Sequence, residues 1–213
     1  MSYGRVMPSL VSDSESGSPV VGVREAQRLE TRARLFDAAV AEISRSGLAG
    51  ADVSAIAAAA GVARGTFYFH FPTKEHVVVE LERTEEAKIV AKLETTTKST
   101  TDLASVLAQL VHHVLDAEHR LGPLIFRDML GLHFSSTRPL DDALGDHPLA
   151  GFVITAIADA QAAGRVAPDA DAGELGVIFM TGLFALLTTA TAEVRTALLD
   201  RYVKTVGQGM EAR

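Results

Sequence analysis

The 213-residue chain has no cysteine. That excludes disulfides, thiolate nucleophiles and Cys-ligated zinc together, and it fits a reducing compartment. Aromatic residues are scarce, at 6%, while alanine runs are frequent. Closely packed helices are therefore expected rather than a β-sandwich. No continuous apolar core follows Arg5, because Ser and Pro break the sequence there; a secretory leader is not indicated, and the expected location is cytoplasmic. The chain also lacks a nucleophile-elbow glycine pattern, a phosphate-binding loop and a dinucleotide fingerprint. No catalytic residue and no cofactor are assigned, and an enzyme is not expected.

Carboxylates are absent from one stretch in particular. None lies between Asp52 and Glu75, although the chain carries 27 acidic and 20 basic residues for a net charge of -7. Residues 1–75 hold eight of each sign, and the remaining 12 bases and 19 acids lie beyond residue 75. The excess negative charge thus falls outside the part of the chain that holds this acid-free stretch, as expected if that part alone meets phosphates.

Within that stretch the sequence reads as a helix-turn-helix. From Arg24 to Ser46, Leu29, Ala33, Phe36, Val40 and Ile43 fall at helical spacing, and Gly47 is placed to end the helix. Asp52 is placed to cap a second helix with Ile56, Ala57 and Ala60 inward. Gly61-Val62 forms the turn. A third helix begins near Ala63 and stops by Phe71, because Pro72 disfavours α geometry before it. If Phe67 points inward, Arg64, Thr66, Tyr68 and His70 face outward. Arg64 suits guanine or phosphate, Thr66 and Tyr68 suit phosphate oxygens, and His70 and Lys74 suit charge neutralisation. Gly65 permits close approach of the backbone. Residues 1–22, with six Ser, three Gly and two Pro, read as a disordered arm. Arg5 and the bases from Arg24 to Arg34 are candidates to reach flanking phosphates.

The run Gly61-Val62-Ala63-Arg64-Gly65-Thr66-Phe67-Tyr68-Phe69-His70-Phe71-Pro72-Thr73-Lys74-Glu75, preceded by Ile56-Ala57, resembles the signature of tetracycline-repressor-like (TetR/AcrR) transcriptional regulators over roughly residues 25–82. The resemblance implies phosphate contacts from Thr66, Tyr68, His70 and Lys74. It also implies base-edge or thymine-methyl contacts from Ser54, Arg64, Gly65 and Phe69. Phe69 lacks the polar tip of the Tyr or Trp found in many relatives, which leaves apolar contact there.

Beyond Thr73 the pattern gives architecture. Val77, Leu81, Ala87 or Lys88, and Ala91 mark a long, half-solvated helix, and Thr101 or Asp102 is placed to cap the next, carrying Leu103, Val106, Leu107, Leu110, Val111 and Val114. Gly122-Pro123 and Pro148 open further helices. Leu175–Ala192 has no charge in 18 residues. That is long enough for a membrane span, but Gly and Thr dilute it and no aromatic belt flanks it, so a buried helix and no membrane are expected. His112, Asp116 and His119 share a helix face with His113 nearby; without Cys or a fourth ligand at fixed spacing, pocket lining or ordinary surface histidines are preferred and no metal is assigned.

The expected fold is all-α: a helix-turn-helix DNA-binding domain at 23–73 and a ligand-binding and dimerisation domain at 74–213, with about nine helices in all. The dimer interface is expected on the last two helices, through Leu183, Leu187, Val194, Leu198, Tyr202 and Val206. A largely apolar effector pocket is expected near Phe126, Met129, His133, Phe134, Phe152, Phe179 and Phe184. The expected function is a homodimeric repressor of a palindromic double-stranded operator, released by a small molecule. Two other readings remain: a DNA-binding regulator with no effector, and a helical binding or metal protein whose helix-turn-helix is incidental.

Overall fold

The computed structural model describes residues 19–97 and 102–210. Among them are nine α-helices: α1 (Pro19–Gly50), α2 (Val53–Ala59), α3 (Arg64–His70), α4 (Lys74–Thr96), α5 (Leu103–Leu121), α6 (Pro123–Gly131), α7 (Pro148–Ala162), α8 (Ala172–Thr189) and α9 (Ala192–Met210). No strand occurs among the described residues. The expected arm lies outside them as far as residue 18. Its last residues, 19–22, are helical, so α1 begins at Pro19 and not near Arg24.

Local chemistry sets most of these boundaries. Gly47, at φ 73°, interrupts α1 where the sequence placed its end. Asp52 caps α2 by accepting the Ser54 N–H at 2.8 Å, and Asp102 caps α5 by accepting the Ser105 N–H at 2.9 Å, the other candidate, Thr101, lying outside the described residues. Asp171 does the same for α8 through Glu174. Proline stands in the first turn of α6 and of α7, where its missing N–H leaves no bond unmade.

The face of α1 differs by one position from the expected one. Leu35, Ala39 and Ile43 are buried, with Phe36 and Val40 packed beside them, whereas Leu29 and Ala33 are exposed. The buried side of α4 also differs. It holds the expected Val77 and Leu81 together with Val78, Val79, Glu82, Glu85, Glu86, Ile89 and Leu93, while Ala87, Lys88 and Ala91 face outward. Three carboxylates are thus turned into the protein along a helix read as half-solvated.

Helix α1 packs on α2, α4 and α6, which ties the first three helices to the rest. In the second half α7 lies against α8, α5 against α9, and α8 against α9. At the α8–α9 crossing Gly182 leaves room for Tyr202, whose ring would collide with a Cβ there. The Tyr202 hydroxyl donates to the carbonyls of Phe179 at 2.7 Å and Ile178 at 3.2 Å. Leu183 and Leu187 are buried in the chain's own core, so they do not form the outward face assigned to them. A helix apolar on all sides gives no sequence signal of which side meets its own chain. The large exposed apolar residues of α8 are Val177 and Ile178, the latter 59% exposed, and that of α9 is Val194. Leu198, Tyr202 and Val206 are half-buried.

Candidate nucleic-acid interface and ligand cavity

Helix α3 is only two turns long, so its fixed position comes from the side it buries. Phe67 is fully buried and packs on Phe71, with ring centroids 5.8 Å apart. Val62 packs against the core at the turn, and its N–H donates to the Ala57 carbonyl at 2.9 Å. With Phe67 inward, Arg64, Gly65, Tyr68 and Phe69 are exposed, Phe69 at 74%, while Thr66 and His70 stand half-buried at the edges. Ser54 is exposed on the first turn of α2. A Cβ at Gly65 would meet nothing within 4 Å; no internal contact demands glycine there, which leaves the surface open to close external approach.

Arg64 has no carboxylate partner among the described residues. Its Nη2 lies 3.4 Å from the Tyr68 hydroxyl and its guanidinium 5.9 Å from the centre of that ring. The hydroxyl, and then its charge, hold the guanidinium above its ordinary value. Burial, and then the positive charges of Arg28 and Arg32, hold the His70 imidazole below its ordinary value of 6.5. In the free protein His70 is thus harder to charge than an ordinary histidine, which favours its hydrogen-bonding role over charge neutralisation.

Lys74 and Arg32 are already engaged. The Lys74 ammonium donates to the carbonyls of Leu48 at 2.6 Å, Ala51 at 3.0 Å and Ala49 at 3.3 Å. All three of its donors are spent on the turn between α1 and α2, so in this structure Lys74 positions the motif and does not reach out for a phosphate. Arg32 forms a two-pronged ion pair with Glu80 of α4 and covers the Phe71 ring at 4.6 Å. Arg28 is paired with Glu25, and Arg5 lies outside the described residues. Two of the four bases of the α1 stripe are thus neutralised within the chain, while Arg34 bonds only the Thr31 hydroxyl.

The residues assigned to one effector pocket separate into four places. A cavity of about 260 Å³ is lined by Glu86, His133, Phe134, His147, Ala150, Val177, Met180, Thr181 and Phe184. Phe126 and Met129 line a small void of about 20 Å³ on the other side of Phe184 and Glu86. Phe152 lines a separate cleft of about 160 Å³ with Asp159 and Arg165. Phe179 is stacked on Tyr202, with centroids 5.6 Å apart, in the core between α8 and α9.

A buried charged network borders the cavity, and sequence reading missed it. His147, just before α7, meets Glu86 at 3.1 Å through Nδ1 and Asp142 at 2.9 Å through Nε2. Arg83 donates to Asp142 at 2.5 Å and to Asp146 at 3.1 Å. Arg138 bonds Asp142 and lies 3.1 Å from His147 Nε2, and His133 bonds Glu82. Burial alone would lower the His147 value, but the bond and charge of Glu86, with Glu82 and Asp142, outweigh it and raise it to about 9. Likewise burial would raise Asp142, yet Arg83 and His147 hold it below the ordinary carboxylate value. The available signal was the stripe Val78, Glu82, Glu86, Ile89 and Leu93, which keeps helical spacing only if the glutamates count as inward. On α5, His112 and His119 are exposed and Asp116 half-buried, with 3.7 Å between Asp116 and each of His112 and His113.

Residues 35–81 match the sequence model of the family described as bacterial regulatory proteins, tetR family. Over 95 residues the chain is 37% identical to the HTH-type transcriptional regulator AcrR of Shigella flexneri, covering 44% of this chain and 43% of that protein. Over 84 residues it is 40% identical to the HTH-type transcriptional repressor KstR of Mycolicibacterium smegmatis, covering 39% of this chain and 38% of that protein. These matches thus span about two fifths of each relative. In overall fold the chain is similar to Thermus thermophilus FadR, a TetR family transcriptional repressor solved with lauroyl-CoA, with a TM-score of 0.73 at 20% identity over 85% of this chain and 96% of that one. It is also similar to RolR solved with resorcinol, with a TM-score of 0.66 at 20% identity over 86% of this chain and 91% of that one.

Proposed function

We propose that this chain, which belongs to the tetR family of bacterial regulatory proteins, is a homodimeric repressor that binds a palindromic operator and is released by a small, largely apolar effector. The observation that carries this reading is the division of α3: Phe67 is wholly buried, and the opposite face offers Arg64, Gly65, Tyr68 and Phe69 with no carboxylate from Val53 to Lys74. A helix so presented fits a major groove, with Arg64 on a guanine edge and Phe69 on a thymine methyl. Tyr68, Thr66 and His70 are suited to phosphate oxygens, and Ser54 approaches from the preceding helix. Residues 23–73 serve as the DNA-binding domain and residues 74–213 as the regulatory and dimerisation domain.

Two such helices about 34 Å apart read a two-fold site, which requires a dimer. The exposed apolar side chains of α8 and α9, Val177, Ile178 and Val194, support an interface between copies there. The cavity lined by Phe134, Met180 and Phe184 is the effector site in this reading, and it touches α4 at Glu86. Only three residues separate α3 from α4, so a shift of α4 alters how the recognition helices are presented. In vitro selection of bound DNA from a random pool tests the proposal. A palindrome is the expected outcome, and an unenriched pool would refute it.

A further inference from the structure

Among the described residues, ligand atoms of Glu82, Glu86 and His147 lie within 4.8 Å of one another, and all three residues are buried. We propose that these three side chains bind one divalent transition metal ion of the zinc type, whose remaining coordination position faces the cavity beside α8. Tetrahedral bonds of about 2.1 Å set a metal's ligands about 3.4 Å apart. The cluster therefore has to close by up to about 1.4 Å, a distance that rotation about the glutamate side-chain bonds covers.

Three features distinguish the cluster from a chance gathering of acid. Glu82 is 1% exposed, and its Oε2 has no hydrogen-bond partner, with the Arg138 guanidinium standing 3.7 Å from it. An unmet carboxylate oxygen that deep is costly unless something binds it. The His147 ring is already oriented as a ligand: Nδ1 faces Glu86 inside the cluster, and Nε2 is held from behind by Asp142. A carboxylate behind the distal nitrogen is the usual support of a metal-bound histidine. The carboxylates are steadied as well, Glu82 by His133 and Glu86 by the Leu149 N–H at 3.4 Å.

Charge permits the ion. Arg83 and Arg138 both bond Asp142, the group behind the histidine, and Arg138 stands 3.7 Å from Glu82. Glu82 and Glu86 are left to offset a dication, and the Nδ1 proton of His147 passes to solvent when the metal takes its place. Two carboxylates and one imidazole suit Zn²⁺, Mn²⁺ or Co²⁺ better than Ca²⁺. Glu86 and His147 also line the cavity of about 260 Å³, so the open position accepts water or an oxygen- or nitrogen-donor ligand. The metal would join α4 to the start of α7. Its regulatory consequence rests on the repressor reading, but the site itself does not.

The test uses the full chain, chelator-treated, dialysed and free of DNA. Calorimetric titration with ZnCl₂ and the visible spectrum on adding CoCl₂ are expected to give one ion per chain. Glu82→Gln, Glu86→Gln and His147→Gln are each expected to weaken binding by at least about 10-fold, with the helical content of each variant checked by circular dichroism. The double variant His112→Ala/His119→Ala is expected to keep the stoichiometry. Failure of the folded chain to bind an ion would overturn the proposal. So would unchanged affinity in both isosteric glutamine variants, or loss of binding in the α5 double variant. Because no DNA is present, none of these outcomes depends on the chain being a repressor.

Discussion

The N–H of Leu48 donates to Oδ2 of Asp128 at 2.5 Å, joining the last turn of α1 to α6. Asp128 also closes over Gly47, where a Cβ would stand 3.3 Å from the same oxygen at φ 73°. Asp128→Ala leaves the half-buried amide without its acceptor, which costs about 1–3 kcal/mol. Urea unfolding is expected to show that loss. In the repressor reading the variant still binds DNA but responds less to effector; a variant with full stability and full response would show that this bond carries neither role.

Arg64 is the exposed cation of α3 without a carboxylate partner. Arg64→Ala is expected to weaken operator binding by about 1–3 kcal/mol and to relax selectivity at one base position. Tyr68→Phe is expected to weaken all sequences alike. Fluorescence anisotropy on matched and singly altered operators separates the two effects, and equal loss on every sequence with Arg64→Ala would move that side chain to a phosphate.

Lys74 gives a sharper choice, because its three donors are spent on carbonyls. Lys74→Ala is expected to reduce stability by about 1.5–3 kcal/mol, as for a hydrogen-bonded charge, and to leave the salt dependence of DNA binding unchanged. If the ammonium instead meets a phosphate, the salt slope falls by about 1 with little change in stability.

His70 predicts a pH dependence with opposite signs for binding and folding. Its value lies below 6.5 in the free protein, and a phosphate against the ring favours the imidazolium. Binding then takes up a proton, so affinity rises as the pH falls from about 7.5 to about 6. Folding runs the other way, since a depressed histidine costs stability once the pH drops below 6.5. His70→Gln is expected to flatten the affinity profile. A flat profile in the wild type would remove His70 from the interface.

For assembly, Ile178→Asp on the exposed side of α8 is expected to give a folded monomer in sedimentation equilibrium. Leu183→Asp is expected to unfold the chain, because Leu183 is buried in its own core. A dimer that survives Ile178→Asp would place the interface elsewhere.

What the sequence made legible was local. Gly47, Asp52, Gly61, Pro72, Pro123 and Pro148 punctuate the chain by backbone rules that hold whatever surrounds them, and Phe67 follows from the spacing of one short helix. The inward glutamates of α4 were not legible, because Glu82, Glu85 and Glu86 look like any solvated face until their partners arrive. Those partners are His133, Arg120 and His147, 51, 35 and 61 residues away. Leu183 and Leu187 failed for a related reason: hydrophobicity says that a side chain leaves water, and nothing in it says whether it goes into its own chain or a second copy.

The absent side chain at Gly182 has a consequence for how such a protein diversifies. Because Tyr202 fills that space and bonds the carbonyls of Ile178 and Phe179, α8 and α9 are locked by contacts that do not involve Met180 or Thr181 on the cavity wall. Substitutions at those two positions can change what fits the cavity while the lock persists. In the repressor reading, chemical taste and partner geometry are thus free to drift apart, and a new effector specificity need not disturb how two copies meet.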